Sequence, residues 1–285
     1  MNQSPIPDIQ SLKARQKSTW ESGDFGEVAK FIMTDAEQFM SHIDLRPGSK
    51  VLDAACGTGN LAVLAAKRGC ITSGLDIASN LIAQARERAR KESFTIEFTE
   101  GDAEAMPYPD ATFDAVVSMY GVMFAPRPER VVSELRRVVK PGGLIALANW
   151  APDGFIGKMF SIFARHLPPP AGFPSPLLWG DEAVVRARFE GVGEKLQMTR
   201  RTARMCFPFD AAGTVEFFQR YYGPTHRAFE SLPPASRAAL KRELIELHTR
   251  HNVSTRPDET ETPSDYLEIH ARRVPNDGAR DTTSN

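Results

Sequence analysis

Three acids, Asp53, Asp76 and Asp102, stand at or just past the ends of short apolar runs. A loop of small residues, Ala54-Ala55-Cys56-Gly57-Thr58-Gly59-Asn60, follows the first of them. A strand that ends in an acid, turns through glycines and opens a helix, here Leu61-Ala62-Val63-Leu64-Ala65-Ala66, presents bare backbone and a helix N-terminus to a ligand. Asp76 closes the next apolar run, Ile71–Leu75, at the distance where an acid in this layout takes ribose hydroxyls. Together these residues imply a nucleoside-bearing ligand. Taken singly, Asp53 or Asp76 reads equally well as a strand-end or capping carboxylate, and Asp102 as a turn former beside Gly101. Three acids at three successive strand ends are harder to explain structurally.

Gly57-Thr58-Gly59-Asn60-Leu61-Ala62 also fits the loose dinucleotide pattern G-x-G-x-x-A, so a nicotinamide cofactor stays open on the loop alone. Three features weigh against it. The first strand starts only at Lys50, behind a helical leader. Asp53 sits where a pyrophosphate would meet a like charge and an amino group would not. Gly101-Asp102-Ala103-Glu104 brings a third acid to the same sheet edge.

The positioning elements follow from periodicity. The first ten residues, and with them a leader to residue 17, read as disordered, and residues 11–45 carry a helical pattern interrupted at Gly23. Strands are expected at Lys50–Asp53, Ile71–Asp76, Thr95–Thr99, Phe113–Met119 and Leu144–Trp150. Helices are expected from about Ser79 to Lys91 and from Glu129 to Val139, with Pro141-Gly142-Gly143 as a stop before the fifth strand. This alternation predicts a doubly wound α/β fold with ligands at the carboxyl ends of its strands. Beyond Trp150 the chain is rich in Pro, Gly and Phe, with breaks at Pro168-Pro169-Pro170 and Pro174-Ser175-Pro176. A strand at Glu194–Phe207, helices over 211–250 and a final strand at Tyr266–Ala271 complete one domain over 18–273. Its core is 45–150, and it ends before a disordered tail at 274–285.

With 35 basic and 36 acidic residues the net charge is −1, which gives no electrostatic reason to expect nucleic acid. No apolar run reaches spanning length, and Lys13, Arg15 and Lys17 precede no apolar signal core, so a soluble cytoplasmic protein is the expectation. Cys56, Cys70 and Cys206 are too scattered for a disulfide framework, and Cys56 reads as a small filler of the loop. His248 and His251 lack the accompanying carboxylate of a metal motif, and no metal is expected.

At Asp53–Gly59, Asp76, Gly101-Asp102-Ala103, Met106-Pro107-Tyr108, Phe113-Asp114 and Lys140-Pro141-Gly142-Gly143 the chain resembles the class I S-adenosylmethionine-dependent methyltransferases. It is similar to the small-molecule group related to the ubiquinone and menaquinone C-methyltransferases. Trp20 to Phe25, Gly121–Pro126, Trp179-Gly180, Tyr222–Thr225 and Tyr266-Leu267 extend the likeness over residues 18–273. The resemblance implies a seven-stranded Rossmann-like sheet with an antiparallel last strand and helical lid insertions near 151–190 and 211–252.

It also implies roles by position. Asp53 would sit near the methionine amino group, and Gly57 and Gly59 would give backbone approach. Asp76 would hold the ribose, with Ile77 against the adenine. Asp102 would accept from the exocyclic amine, and the Ala103 amide would reach a ring nitrogen. Met119 and Tyr120 would line the sulfonium side, and Trp20 with Phe25 would close over the donor. Ala55 replaces a common glycine and requires φ below zero there.

Methyl transfer from a sulfonium needs orientation more than a base. His166, His226, Tyr120 and Tyr221 are the candidates should the acceptor have to lose a proton. The aromatic residues after Trp150, among them Phe155, Phe160, Phe217 and Tyr222, suit a small hydrophobic acceptor methylated on O or C. An NAD-dependent oxidoreductase and a non-catalytic module that binds S-adenosylmethionine are the alternatives. Monomer and homodimer stay open.

Overall fold

A computed structural model describes residues 8–169, 172–191 and 193–274, with the side chains of residues 193 and 194 outside the description. The chain is already helical at α1 (Ile9–Trp20), which Asp8 caps by accepting from the Ser11 amide at 3.2 Å. This corrects the expectation of disorder as far as residue 17. Residues 1–7, the 275–285 part of the expected tail, and Pro170 lie outside the described residues. Gly23, at φ +82°, turns the chain into α2 (Phe25–Ala29), and a 3-10 turn then leads to α3 (Met33–Ser41).

Strands and helices then alternate: β1 (Lys50–Ala54), α4 (Asn60–Lys67), β2 (Ile71–Asp76), α5 (Ser79–Lys91), β3 (Glu97–Glu100), β4 (Phe113–Met119), α6 (Pro128–Val138) and β5 (Val139–Trp150). The second half supplies α7 (Phe155–His166), α8 (Glu182–Arg188), β6 (Gly193–Phe207), α9 (Ala211–Tyr221), α10 (Gly223–Ser231), α11 (Pro234–His251) and β7 (Thr260–Arg273).

One sheet holds all seven strands in the order β3-β2-β1-β4-β5-β7-β6. The first five run parallel, and β7 lies antiparallel between β5 and β6. Helices flank the sheet, α4 packing on β1 and β2, α5 on β3 and α6 on β5. Leu52, Val116, Val117, Ala146 and Leu147 are fully buried, as strands covered on both faces require. The strand order reverses between β1 and β4, and a ligand crevice is expected there.

Three local expectations change. Pro141-Gly142-Gly143 does not stop the chain. Val139 pairs with Phe113 and Leu144 with Ala115, so the intervening residues form a bulge inside β5, with Gly142 at φ +75°. The third strand begins at Glu97 rather than Thr95. The last strand extends well beyond Tyr266–Ala271, because β6 and β7 pair continuously from Gln197↔His270 to Phe207↔Thr260. No helix among the described residues is long and apolar enough to cross a membrane.

Candidate functional site

A cavity with about 1040 Å³ of empty space, its mouth included, opens at the carboxyl ends of β1, β2 and β4. The register places its acids: Asp53 lies opposite Gly74 and Val117, and Asp76 opposite Glu100. Asp102 follows two residues beyond the end of β3.

Each acid is tied to backbone as well as facing the cavity. Asp53 Oδ2 accepts from the Ala62 amide at 2.9 Å, in the first turn of α4, while Oδ1 takes no hydrogen bond from the described residues. Burial pushes the Asp53 carboxyl up to about 8, with the Asp76 charge adding to the rise and the Ala62 bond opposing it. Asp76 accepts from Gly57 N at 2.8 Å through Oδ2 and from Ala78 N at 2.9 Å through Oδ1, and burial raises it too. One carboxylate thus sets the glycine loop against the start of α5. Asp102 Oδ1 accepts from Glu104 N at 2.8 Å.

The loop itself is left-handed at three places: Ala55 at φ +56°, Gly57 at +53° and Gly59 at +80°. The value at Ala55 overturns the expectation of negative φ, and alanine holds a conformation that costs it about 1–2 kcal/mol. A Cβ at Gly121 would stand 2.5 Å from the Ala55 carbonyl oxygen, so the loop after β4 and the loop after β1 touch backbone to backbone. Ala55→Gly is therefore expected to raise stability by about 0.5–1 kcal/mol, the relieved strain exceeding the added freedom of the unfolded chain. Thermal melting checks this; a lower midpoint would mean that Ala55 is unstrained.

Of the sequence candidates, Trp20, Asp53, Ala55, Gly57, Asp76, Ile77, Asp102, Ala103, Met119 and Tyr120 all line this cavity. Gly59 lies behind it, where a Cβ would meet the Phe98 ring at 3.1 Å. The Tyr120 ring stacks on Trp150, with centroids 3.6 Å apart, and its residue sits at φ +57°. Its hydroxyl is buried without a partner, and burial drives it well above the usual phenol range.

His166, His226 and Tyr221 do not line the cavity. His166 bonds Glu243 at 2.9 Å across α7 and α11, His226 meets the Gln219 carbonyl, and Tyr221 packs on Phe217. His248 is buried on the Leu244 carbonyl of its own helix. No His, Cys, Asp and Glu grouping among the described residues is arranged to hold a metal.

The roof differs from the expected one. No described residue of 151–190 or 211–252 lines the cavity; the leader covers it with Lys13, Gln16, Trp20 and Phe25. The second insertion supports that roof from behind, with Tyr222 5.7 Å from Trp20 and 6.3 Å from Phe25. Phe124 completes the cluster 5.0 Å from Trp20 and stacks on Phe160 of α7. Lys13, Gln16, Ile32 and Ala36 escaped sequence reasoning, because their places depend on how the leader folds back rather than on any motif.

Known proteins resemble this chain in sequence and in fold. Residues 52–147 match the family described as "Methyltransferase domain". An uncharacterized protein of Mycobacterium tuberculosis is 33% identical over 252 residues, covering 87% of this chain and 92% of its own. The demethylmenaquinone methyltransferase of Deinococcus radiodurans is 35% identical over 127 residues, 43% of this chain and 53% of its own. Among solved structures, a Haemonchus contortus phosphoethanolamine N-methyltransferase, in complex with S-adenosylhomocysteine, superposes with a TM-score of 0.55. It shares 15% identity and covers 85% of this chain and 52% of its own.

Proposed function

The chain belongs to the class I S-adenosylmethionine-dependent methyltransferases, and from that premise we propose that its acceptor is a small apolar or aromatic molecule methylated on oxygen or carbon. The nicotinamide reading of the glycine loop falls with that membership.

The residues fit the donor. Asp53 offers its free Oδ1 to an ammonium, and a ligand cation there would relieve the burial that raises its carboxyl. Asp76 keeps lone pairs for a ribose diol beyond the two amides it already accepts. Ile77 and Ala103 flank the space that an adenine would fill beside Asp102. When bound, the donor supplies a methyl carbon on a sulfonium, which the acceptor displaces in line.

The wall beyond these acids carries the acceptor reading. Ile32, Ala36, Tyr120, Val122 and Phe124 line it, together with the rings of Trp20 and Phe25. Lys13 and Gln16, the polar groups of the roof, are engaged with Asp102 and with the Phe124 carbonyl at 2.6 Å. None of His166, His226 and Tyr221 reaches the cavity, and the Tyr120 hydroxyl is sealed away from it. An acceptor atom that ionises on its own, as in an enol or an acidic phenol, suits such a wall. The chain's task is then to orient and dehydrate it.

A panel of phenols and enolisable 1,3-dicarbonyls with graded acidity, supplied with S-adenosylmethionine, tests this reading. The acidic limb of kcat/KM should move with the acceptor's own pKa. A limb fixed at one pH across the panel would instead identify a base on the protein. No turnover on apolar acceptors, with turnover on polar amines, would sink the proposed class.

A further inference from the structure

Lys13 is the one basic side chain in the cavity wall among the described residues, and it comes from the leader helix. Its side chain is only 10% exposed, and Nζ stands 2.5 Å from Asp102 Oδ2 and 2.5 Å from Glu104 Oε2. Glu104 is wholly enclosed and also accepts from Arg127 N at 2.6 Å and Nε at 2.7 Å. A lysine buried between two carboxylates is held there strongly, because removing either side leaves an uncompensated charge out of water.

The rest of α1 docks in the same polar manner. Leu12 and Lys13 are its buried residues. Lys17 reaches Glu100, and Glu21, just past the helix end, accepts from Ser79 N at 3.1 Å and Ser79 Oγ at 2.7 Å. Positions 13, 16, 17, 20 and 21 follow helical spacing, so one face of α1 meets the ends of β2 and β3 and the roof of the cavity. Trp20 adds edge contacts to Phe25, Phe124 and Tyr222, so ion pairs and aromatic packing together hold α1 in place. A nucleoside beside Asp102 would lie against Lys13, Gln16 and Trp20 of that helix.

We propose that Lys13 is a positioning residue of the donor site: through Asp102 it fixes the carboxylate that faces the adenine, and through Asp102 and Glu104 it clamps α1 over the bound donor. This rests on the assignment of Asp102 to the adenine end made above. Donor occupancy and docking of α1 are then linked, each favouring the other by the same factor.

The test uses the full chain and S-adenosylhomocysteine, comparing the unsubstituted protein with Lys13→Gln, Lys13→Arg, Lys17→Gln and Asp102→Asn. Release is followed by stopped-flow tryptophan fluorescence. Tryptic cleavage at Arg15 and Lys17 reports whether α1 is docked. Lys13→Gln should speed release about tenfold, raise the KM for S-adenosylmethionine without lowering kcat, and abolish the protection from trypsin that ligand gives. Lys13→Arg should restore all three to within about threefold, and Lys17→Gln, whose pair is more exposed, should change little.

Asp102→Asn leaves the Glu104 contacts in place and covers the case in which Lys13→Gln folds poorly. Its effect on release should not add to that of Lys13→Gln. Release from Lys13→Gln at the parental rate, or equal acceleration by Lys17→Gln, overturns the proposal. Loss of binding in Asp102→Asn with no effect of Lys13→Gln leaves the adenine assignment standing and overturns the clamp alone. No binding by the unsubstituted chain overturns both.

Discussion

Asp76→Ala is expected to weaken S-adenosylmethionine binding by about 10- to 100-fold and to destabilise the ligand-free protein by about 2–4 kcal/mol. The two losses have different origins. A ribose diol that donates to a carboxylate gains about 1.5–3 kcal/mol over water, and alanine removes that acceptor. The amides of Gly57 and Ala78 lose their partner as well, at about 1–3 kcal/mol for each buried donor left unmade. Asp76→Asn separates the contributions. It keeps the shape and one acceptor oxygen, but turns an NH2 toward one of the two amides. It should therefore bind and melt between the parent and Asp76→Ala. Titration calorimetry and thermal melting decide; a fully stable Asp76→Ala that binds the donor normally would remove Asp76 from both roles.

The affinity for S-adenosylmethionine should rise about tenfold per pH unit from pH 6 toward pH 8, then level off and fall. Burial holds the Asp53 carboxyl protonated up to about pH 8 in the ligand-free chain. An ammonium placed at Asp53 favours the ionised form, so binding below that pH must expel a proton. Above it, an α-amino group with a pKa of about 7.7–8.0 loses its own charge, which sets the upper limb. Calorimetry in buffers of different ionisation enthalpy should register close to one proton released near pH 7. Asp53→Asn should release none and lose the lower limb.

The stability of the ligand-free protein should run the opposite way. A carboxyl raised in the folded state favours folding most at pH values below its unfolded pKa near 4. That contribution is lost as pH climbs toward 8, at up to about 1.4 kcal/mol per unit. Asp53→Asn should flatten that slope. A parent whose stability is level from pH 5 to 8 would contradict it.

Asp53, Asp76 and Asp102 are legible in the chain because a buried parallel strand, a glycine turn and a strand-end acid are all local patterns. The parallel alternation of strands and helices is legible in the same way, while the order of the strands in the sheet is not. What escapes is decided at long range. Lys13 reads as one of three early charges, and its partner is Asp102, 89 positions away. The helical pattern from residue 11 is legible, but the leader to residue 17 reads as undocked because so few of its residues are apolar. The left-handed φ of Ala55 and its close approach to Gly121 are not announced by any residue near Ala55. The aromatic residues of the second insertion are legible as packing, but their sequence cannot say that Tyr222 supports Trp20 from outside the cavity rather than lining it. The proline and glycines after Lys140 read as a terminator because nothing local distinguishes a stop from a bulge inside a strand.

The position of β7 has a consequence for how the protein is made. The ribosome delivers β6 first and then the three helices α9 to α11, yet β6 has no neighbour in the sheet except β7. Until β7 has emerged, β5 and β6 each present a row of unpaired backbone groups that any other strand could take. The donor half of the sheet, complete once β5 is made, can form while the polypeptide is still tethered; the far half must wait for β7. A chain cut short after α11 would keep every donor-binding acid and still carry two open sheet edges. Early termination in this gene should therefore yield aggregates rather than a smaller working enzyme.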